Sequence, residues 1–217
     1  AIAAEEAPGS AIVTDSVTSA ELAEFLTGRL GLIHRRFKRG YKNVINEGIR
    51  LNREGIPCLV AMETSGHTAM RNYFLDDGAY AAVKIVIQAA RLRREGRTLG
   101  DLLRDLKEPL EAKEYRLKIT GEDFRGYGQE VLAALETYAG EQAGWEIAPD
   151  NCEGVRVSVP GAQGWFLLRM SLHDPLMPLN VESGREGGIE AILGELRIFL
   201  AKWTRLDLTT IPSPAAG

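Results

Sequence analysis

A layered α/β domain followed by a smaller α+β domain is the architecture this sequence predicts. Three observations carry that expectation: strand-like and helix-like patterns alternate through residues 11–94, the pattern changes between Glu108 and Lys113, and beyond it come one strand, a helix, three strand signals and a last helix. The boundary falls near Pro109, giving a three-layer α/β domain over 1–109 and an α+β domain, an antiparallel sheet with helices on one face, over 110–217.

Taken in order, residues 1–7 read as the end of a helix stopped by Pro8-Gly9, and the absence of an opening methionine suggests a piece of something longer. Ala11 to Thr14 is a short β-rich run. Ser19, with Glu21 and Glu24 behind it, suits the amino end of a helix whose Leu22, Phe25 and Leu26 share a face. A second strand begins at Leu32-Ile33. The charge run Arg35-Arg36-Phe37-Lys38-Arg39-Gly40-Tyr41-Lys42 fits either a solvated edge or an anion-binding loop in which Tyr41 packs on a ring face. Lys42 opens a helix through Val44, Ile45, Ile49 and Leu51, and Ile56 to Ala61 reads as a buried strand.

The helix over 77–94 carries Val83, Ile85, Val86, Ile87, Ala89 and Ala90, so it is predicted to be deeply buried, with Asp76-Asp77 capping its amino end. A short helix over 99–106 precedes Pro109. In the second half, Tyr115 to Ile119 alternates like a half-buried strand, and a helix over 124–143 has Val131, Leu132, Leu135 and Tyr138 at helical spacing. Strand signals at 155–159, 165–168 and 177–181 and a helix over 189–203 complete the α+β pattern.

Composition excludes several roles. With 45% hydrophobic residues in 217, the chain can bury a sizeable core, and a net charge of −4 argues against a general nucleic-acid or membrane-surface partner. No run approaches the length of a membrane span, and no signal peptide is visible. Cys58 and Cys152 are far apart and form no metal or redox pair, which suits buried thiols in a cytoplasmic setting.

The chemistry concentrates at Met62-Glu63-Thr64-Ser65-Gly66-His67, just past the strand ending at Ala61. Ligands of open α/β sheets bind at the carboxyl ends of strands. Glu63, Ser65 and His67 are spaced i, i+2, i+4, so an extended loop would aim all three the same way. That offers an acceptor, a hydroxyl and a switchable ring, a mixture suited to a polyhydroxylated ligand. A plain polar turn is the alternative.

Met-Glu-Thr-Ser-Gly-His, followed by Asp76-Asp77-Gly78-Ala79-Tyr80 and a long helix, resembles the sugar-binding loop of the α-D-phosphohexomutase family, the phosphoglucomutases and phosphomannomutases. The family's usual form is Gly-Glu-x-Ser-Gly-His, so Met62 replaces a glycine and the loop's entry loses backbone freedom. The resemblance implies that Glu63 and Ser65, with Gly66, bind sugar hydroxyls. It places His67 in the active site as a candidate general acid or base, and puts Gly40, Tyr41 and Lys42 on a loop that contacts the sugar.

A second stretch, Arg169-Met170-Ser171-Leu172-His173-Asp174-Pro175, offers a guanidinium, a hydroxyl and turn backbone to an anion, though an ordinary strand-connecting turn would look the same. It resembles the family's phosphate loop, Arg-Pro-Ser-Asn-Thr-Glu-Pro, and is approached by a similar aromatic strand at Trp165-Phe166. Arg169 and Ser171 then carry over as phosphate ligands, and Leu172 and His173 fall at phosphate-binding loop positions that the family fills with asparagine and threonine; Met170 and Asp174 also depart from it.

The resemblance implies the carboxyl-terminal half of an enzyme interconverting hexose 1-phosphate and 6-phosphate. It would work through a phosphoserine and a hexose 1,6-bisphosphate intermediate, with Mg2+ bound elsewhere in the full-length protein. Neither the phosphoserine loop nor the Asp-Gly-Asp-x-Asp-Arg magnesium loop occurs here, so the partners implied are the hexose phosphate substrate and the missing amino-terminal domains. No metal ligand is expected within this chain, and alone it is expected to be inactive. A non-catalytic sugar-phosphate binding module is the alternative. A nucleotide-sugar transferase is disfavoured because no glycine-rich phosphate loop follows a strand.

Overall fold

The computed structural model describes residues 1–149 and 151–212 and divides between Glu108 and Pro109 into two compact units. The first is an α/β/α sandwich on a four-stranded sheet ordered β2-β1-β3-β4, formed by Ile33–Phe37 (β2), Ala11–Asp15 (β1), Cys58–Met62 (β3) and Thr68–Met70 (β4). β1 runs parallel to both β2 and β3, while β4 folds back antiparallel on β3. Every residue of β1 is buried, as a central strand covered on both faces demands.

Helix α3 (Tyr41–Arg53) covers one face, packing Val44, Ile45 and Leu51 on Val13, Cys58 and Ala61. On the other face Ala3 of α1 (Ile2–Glu6) and Leu26, in the π-helical turn Phe25–Arg29 that continues α2 (Ala20–Glu24), meet Ile12 and Val60. Ser19 caps α2 by accepting the Leu22 N–H at 3.0 Å.

Helix α4 (Gly78–Arg94) overturns an expectation. It is not deeply buried: Val83 is 57% exposed and Val86 66%, and Gln88 and Leu92 are its buried residues. The reason is the polar row Lys84 and Gln88, one turn apart, which faces α1. Lys84 Nζ reaches Glu6 at 3.1 Å and Gln88 Nε2 donates to Glu5 at 2.7 Å, turning the valines and isoleucines outward. Hydrophobic count alone misjudged which face the helix buries.

The charge run also splits. Arg35 and Arg36 lie in edge strand β2; Arg35 pairs with buried Glu47 at 3.1 Å, where Arg50 also binds at 2.7 Å, and Arg36 donates to the Thr18 carbonyl at 3.2 Å. These two arginines brace the unit.

The second unit is a six-stranded, wholly antiparallel sheet ordered β10-β5-β9-β8-β7-β6. The long strands are Glu111–Ile119 (β5), Val155–Val159 (β7), Gly164–Leu168 (β8) and Leu176–Ser183 (β9); two-residue edges Glu146–Ile147 (β6) and Leu206–Asp207 (β10) flank them. Helices α5 (Phe124–Glu141) and α6 (Gly188–Leu200) share one core with it. Val131 and Leu135 of α5 and Ile192, Leu193 and Leu196 of α6 are buried with Phe166, Leu168, Met177 and Leu179. Each such side chain contributes about 1.5–3 kcal/mol by leaving water.

Candidate functional site

The parallel strands β1, β2 and β3 all end at one edge of the first sheet, at Asp15, Phe37 and Met62, and the loops that follow them carry the candidate residues. Met62 pairs with Thr14 on one side and Thr68 on the other as an ordinary strand residue, so the glycine that the family places here is not required by the backbone.

The loop is not extended, as the i, i+2, i+4 reading supposed. Pairing of β4 with β3 closes it into a tight turn, in which Glu63 N–H donates to the His67 carbonyl at 2.8 Å and Gly66 N–H to the Glu63 carbonyl at 3.0 Å. Gly66 takes φ +98°, a left-handed value that glycine adopts without strain. Glu63 is only 5% exposed and reaches back, accepting the Gly40 N–H at 2.5 Å, while the exposed Ser65 donates to its other oxygen at 3.3 Å.

That contact joins the two loops that sequence treated separately. Gly40 precedes α3, and the Tyr41 ring at the head of that helix stacks on the His67 ring, centroids 5.3 Å apart at 29°. Lys42 Nζ lies 5.9 Å from the Tyr41 ring centroid. Gly40, Tyr41, Glu63, Ser65 and His67 thus form one contiguous group with Lys42 at its margin.

One residue of this edge escaped the sequence reading altogether, and a second was seen only as part of a helix cap. Asp15, fully buried, accepts from Thr64 through its N–H at 3.2 Å and its hydroxyl at 2.8 Å, pinning the turn to β1. An aspartate ending a buried strand was a usable signal. The other is Asp76, because the Asp76-Asp77 pair divides its labour. Asp77 caps α4, accepting from Ala79 N–H at 2.9 Å and Tyr80 N–H at 3.0 Å. The Tyr80 N–H, then the Tyr73 hydroxyl, hold its carboxyl below the ordinary aspartate range. Asp76 instead meets His67 Nδ1 at 2.7 Å and accepts the Thr68 N–H at 3.2 Å.

In the second unit Arg169, Ser171, Leu172 and His173 lie on the loop between β8 and β9. Arg169 is nearly buried and its Nε stands 3.8 Å from the Glu153 carboxylate. Ser171 Oγ accepts the N–H groups of His173 and Asp174 at 3.4 and 3.2 Å, shaping the turn from within while leaving its own proton to give. Leu172 and His173 are exposed at the tip. Met170, in the family's proline position, fills the space above Gly128 of α5, where an added Cβ would fall 2.0 Å from its sulfur. Gly154, at φ +63°, passes so close beneath the loop that a Cβ would meet the Leu168 carbonyl at 2.2 Å.

The family model for phosphoglucomutase/phosphomannomutase, alpha/beta/alpha domain III, matches residues 1–110, and the chain belongs to the α-D-phosphohexomutase family. It is 29% identical over 148 residues to a phosphomannomutase/phosphoglucomutase of Pseudomonas syringae pv. tomato, an alignment covering 67% of this chain and 29% of that one. In fold it matches a phosphoglucomutase/phosphomannomutase family protein of Burkholderia thailandensis with a TM-score of 0.70 at 23% identity, covering 92% of this chain and 39% of that structure. An N-acetylphosphoglucosamine mutase of Aspergillus fumigatus, solved with GlcNAc-6P and magnesium, matches with a TM-score of 0.55 at 9% identity, covering 93% and 41%. The chain thus spans well under half the length of these relatives.

Among the described residues no three His, Cys, Asp or Glu side chains group to hold a metal ion, and Asp76 and Asp77 are already engaged by His67 and by α4. Among them, too, no helix is long and apolar enough to cross a membrane.

Proposed function

We propose that this chain is the sugar- and phosphate-recognising portion of a phosphohexomutase that interconverts hexose 1-phosphate and hexose 6-phosphate. The observation that carries this reading is the Glu63–Gly40 contact, which unites the sugar-type turn and the loop before α3 into one polar group at the carboxyl edge of the parallel strands. Family membership supplies the reaction class.

Glu63 is already bonded to backbone and to Ser65, so its side chain is ordered in advance, and its remaining lone pairs accept sugar hydroxyls with little further side-chain ordering at binding. Ser65 and the backbone of Gly66 complete the hydroxyl contacts, Tyr41 and Lys42 border the ring, and His67 moves a proton at Nε2. Arg169 and Ser171 hold the phosphate that is not reacting, with the Leu172 and His173 backbone at the loop tip. The phosphoserine that exchanges its phosphoryl group and the magnesium site belong to other domains of a longer protein.

Two measurements test this. By calorimetry the purified chain should bind glucose 6-phosphate, weakened by Glu63→Ala, and inorganic phosphate, weakened by Arg169→Ala, because each contact involves a charged group. A coupled assay should show no turnover of glucose 1-phosphate or mannose 1-phosphate by the chain alone; turnover proportional to protein would overturn the division of labour. Sugar binding unaffected by both substitutions would overturn the site itself.

A further inference from the structure

Sequence reasoning gives the Asp76-Asp77 pair a single job, capping α4. Only Asp77 does it. Asp76 stands outside the cap with both carboxylate oxygens committed: Oδ2 at 2.7 Å from His67 Nδ1 and Oδ1 receiving the Thr68 backbone N–H at 3.2 Å. Because Thr68 begins β4, which is paired to β3, the Oδ1 contact fastens the carboxylate to the sheet and fixes where Oδ2 must lie. The Tyr41 ring then stacks on the imidazole, limiting its tilt.

We propose that Asp76 is a positioning residue for His67: it holds the ring proton on Nδ1 and so keeps Nε2 of the neutral imidazole as a bare acceptor for a ligand hydroxyl. A carboxylate can only accept, so the nitrogen facing it must carry the hydrogen, and a neutral imidazole carries just one. Among the described residues no hydrogen bond engages Nε2, and the side chain is 48% exposed, leaving that nitrogen to a ligand. The same logic orients metal-bound and triad histidines through a carboxylate behind the ring. The role assigned to Nε2 rests on the phosphohexomutase reading; the tautomer does not.

Geometry makes the test sharp. In Asp76→Asn the oxygen must stay on the Thr68 N–H, because an amide NH2 placed there would confront another donor. The NH2 is then presented to His67 Nδ1, which must become the acceptor, and the ring proton moves to Nε2. The substitution should reverse the tautomer with little change in shape.

The experiment is 15N NMR of the histidine rings in the whole 217-residue chain at a pH where His67 is neutral, with His67→Gln used to assign its signals. Wild type should show a protonated Nδ1 and a bare Nε2, and Asp76→Asn the reverse. Asp77→Asn, which touches only the cap and Tyr73, should leave the wild-type pattern. Asp76→Glu, able to accept at Nδ1, should retain at least part of it. A wild-type ring protonated at Nε2, or an Asp76→Asn ring unchanged from wild type, would overturn the proposal. A reversed tautomer with undiminished glucose 6-phosphate binding would leave the positioning intact and count against the sugar-binding reading of His67 instead.

Discussion

Removing the Glu63 carboxylate should unfasten the two loops it joins. In Glu63→Ala the Gly40 N–H, now bonded at 2.5 Å to a buried carboxylate oxygen, loses its partner, and the Ser65 hydroxyl loses an acceptor 3.3 Å away. A hydrogen bond to a charged group is worth about 1.5–3 kcal/mol, and the Ser65 contact, long and near solvent, adds little to that. Loss of about 2 kcal/mol should lower the melting temperature of a domain this size by roughly 10 °C. Glu63→Gln keeps an acceptor for Gly40 and should cost under half as much. The assay is calorimetric melting of the whole chain, with amide exchange followed at Gly40. Exchange at Gly40 should accelerate in Glu63→Ala before exchange at the β1 core does. Equal melting of Glu63→Ala and wild type, or equal damage from Gln and Ala, would refute the reasoning.

Three further outcomes are expected. Gly154→Ala should cost about 1–3 kcal/mol and weaken phosphate binding, because φ +63° strains a side chain and the new Cβ would strike the Leu168 carbonyl and displace Arg169; chemical denaturation and phosphate titration check both. Arg50, and secondarily Arg35, hold Glu47 below its usual value of 4.5. Its contribution should be full above about pH 4.5 and disappear as pH falls through the depressed value, so Glu47→Gln should lose stability at pH 7 and flatten the acid limb of the stability curve. Burial pushes the Cys58 thiol up to about 11, so iodoacetamide at pH 8 should modify the more accessible Cys152 first and reach Cys58 only on unfolding, as peptide mass mapping would report.

What the sequence revealed follows physical range. Period and capping are local, so β1, α2, α3, β7, β8 and α5 were legible from a few consecutive residues; Ser19 and Asp77 cap as their types foretell. The edges β6 and β10 were not, since two residues carry no period. The orientation of α4 was not, because Lys84 and Gln88 face inward only by virtue of Glu5 and Glu6, some eighty residues away. At the site, the residue types in the turn were visible, yet their spacing suggested an extended loop because the β4 pairing that bends it is three residues long. The partners of Asp15 and Asp76 and the approach of Glu153 to Arg169 depend on chain segments meeting in space, and no spacing rule reaches them.

The most direct test of sugar-phosphate recognition is a titration of 15N-labelled chain with glucose 6-phosphate, following backbone amides. The account predicts saturable shifts at Gly40, Tyr41, Ser65, Gly66, His67 and the Arg169–His173 loop, with inorganic phosphate moving the loop alone. Shifts confined to other surfaces, or none at millimolar ligand, would contradict it.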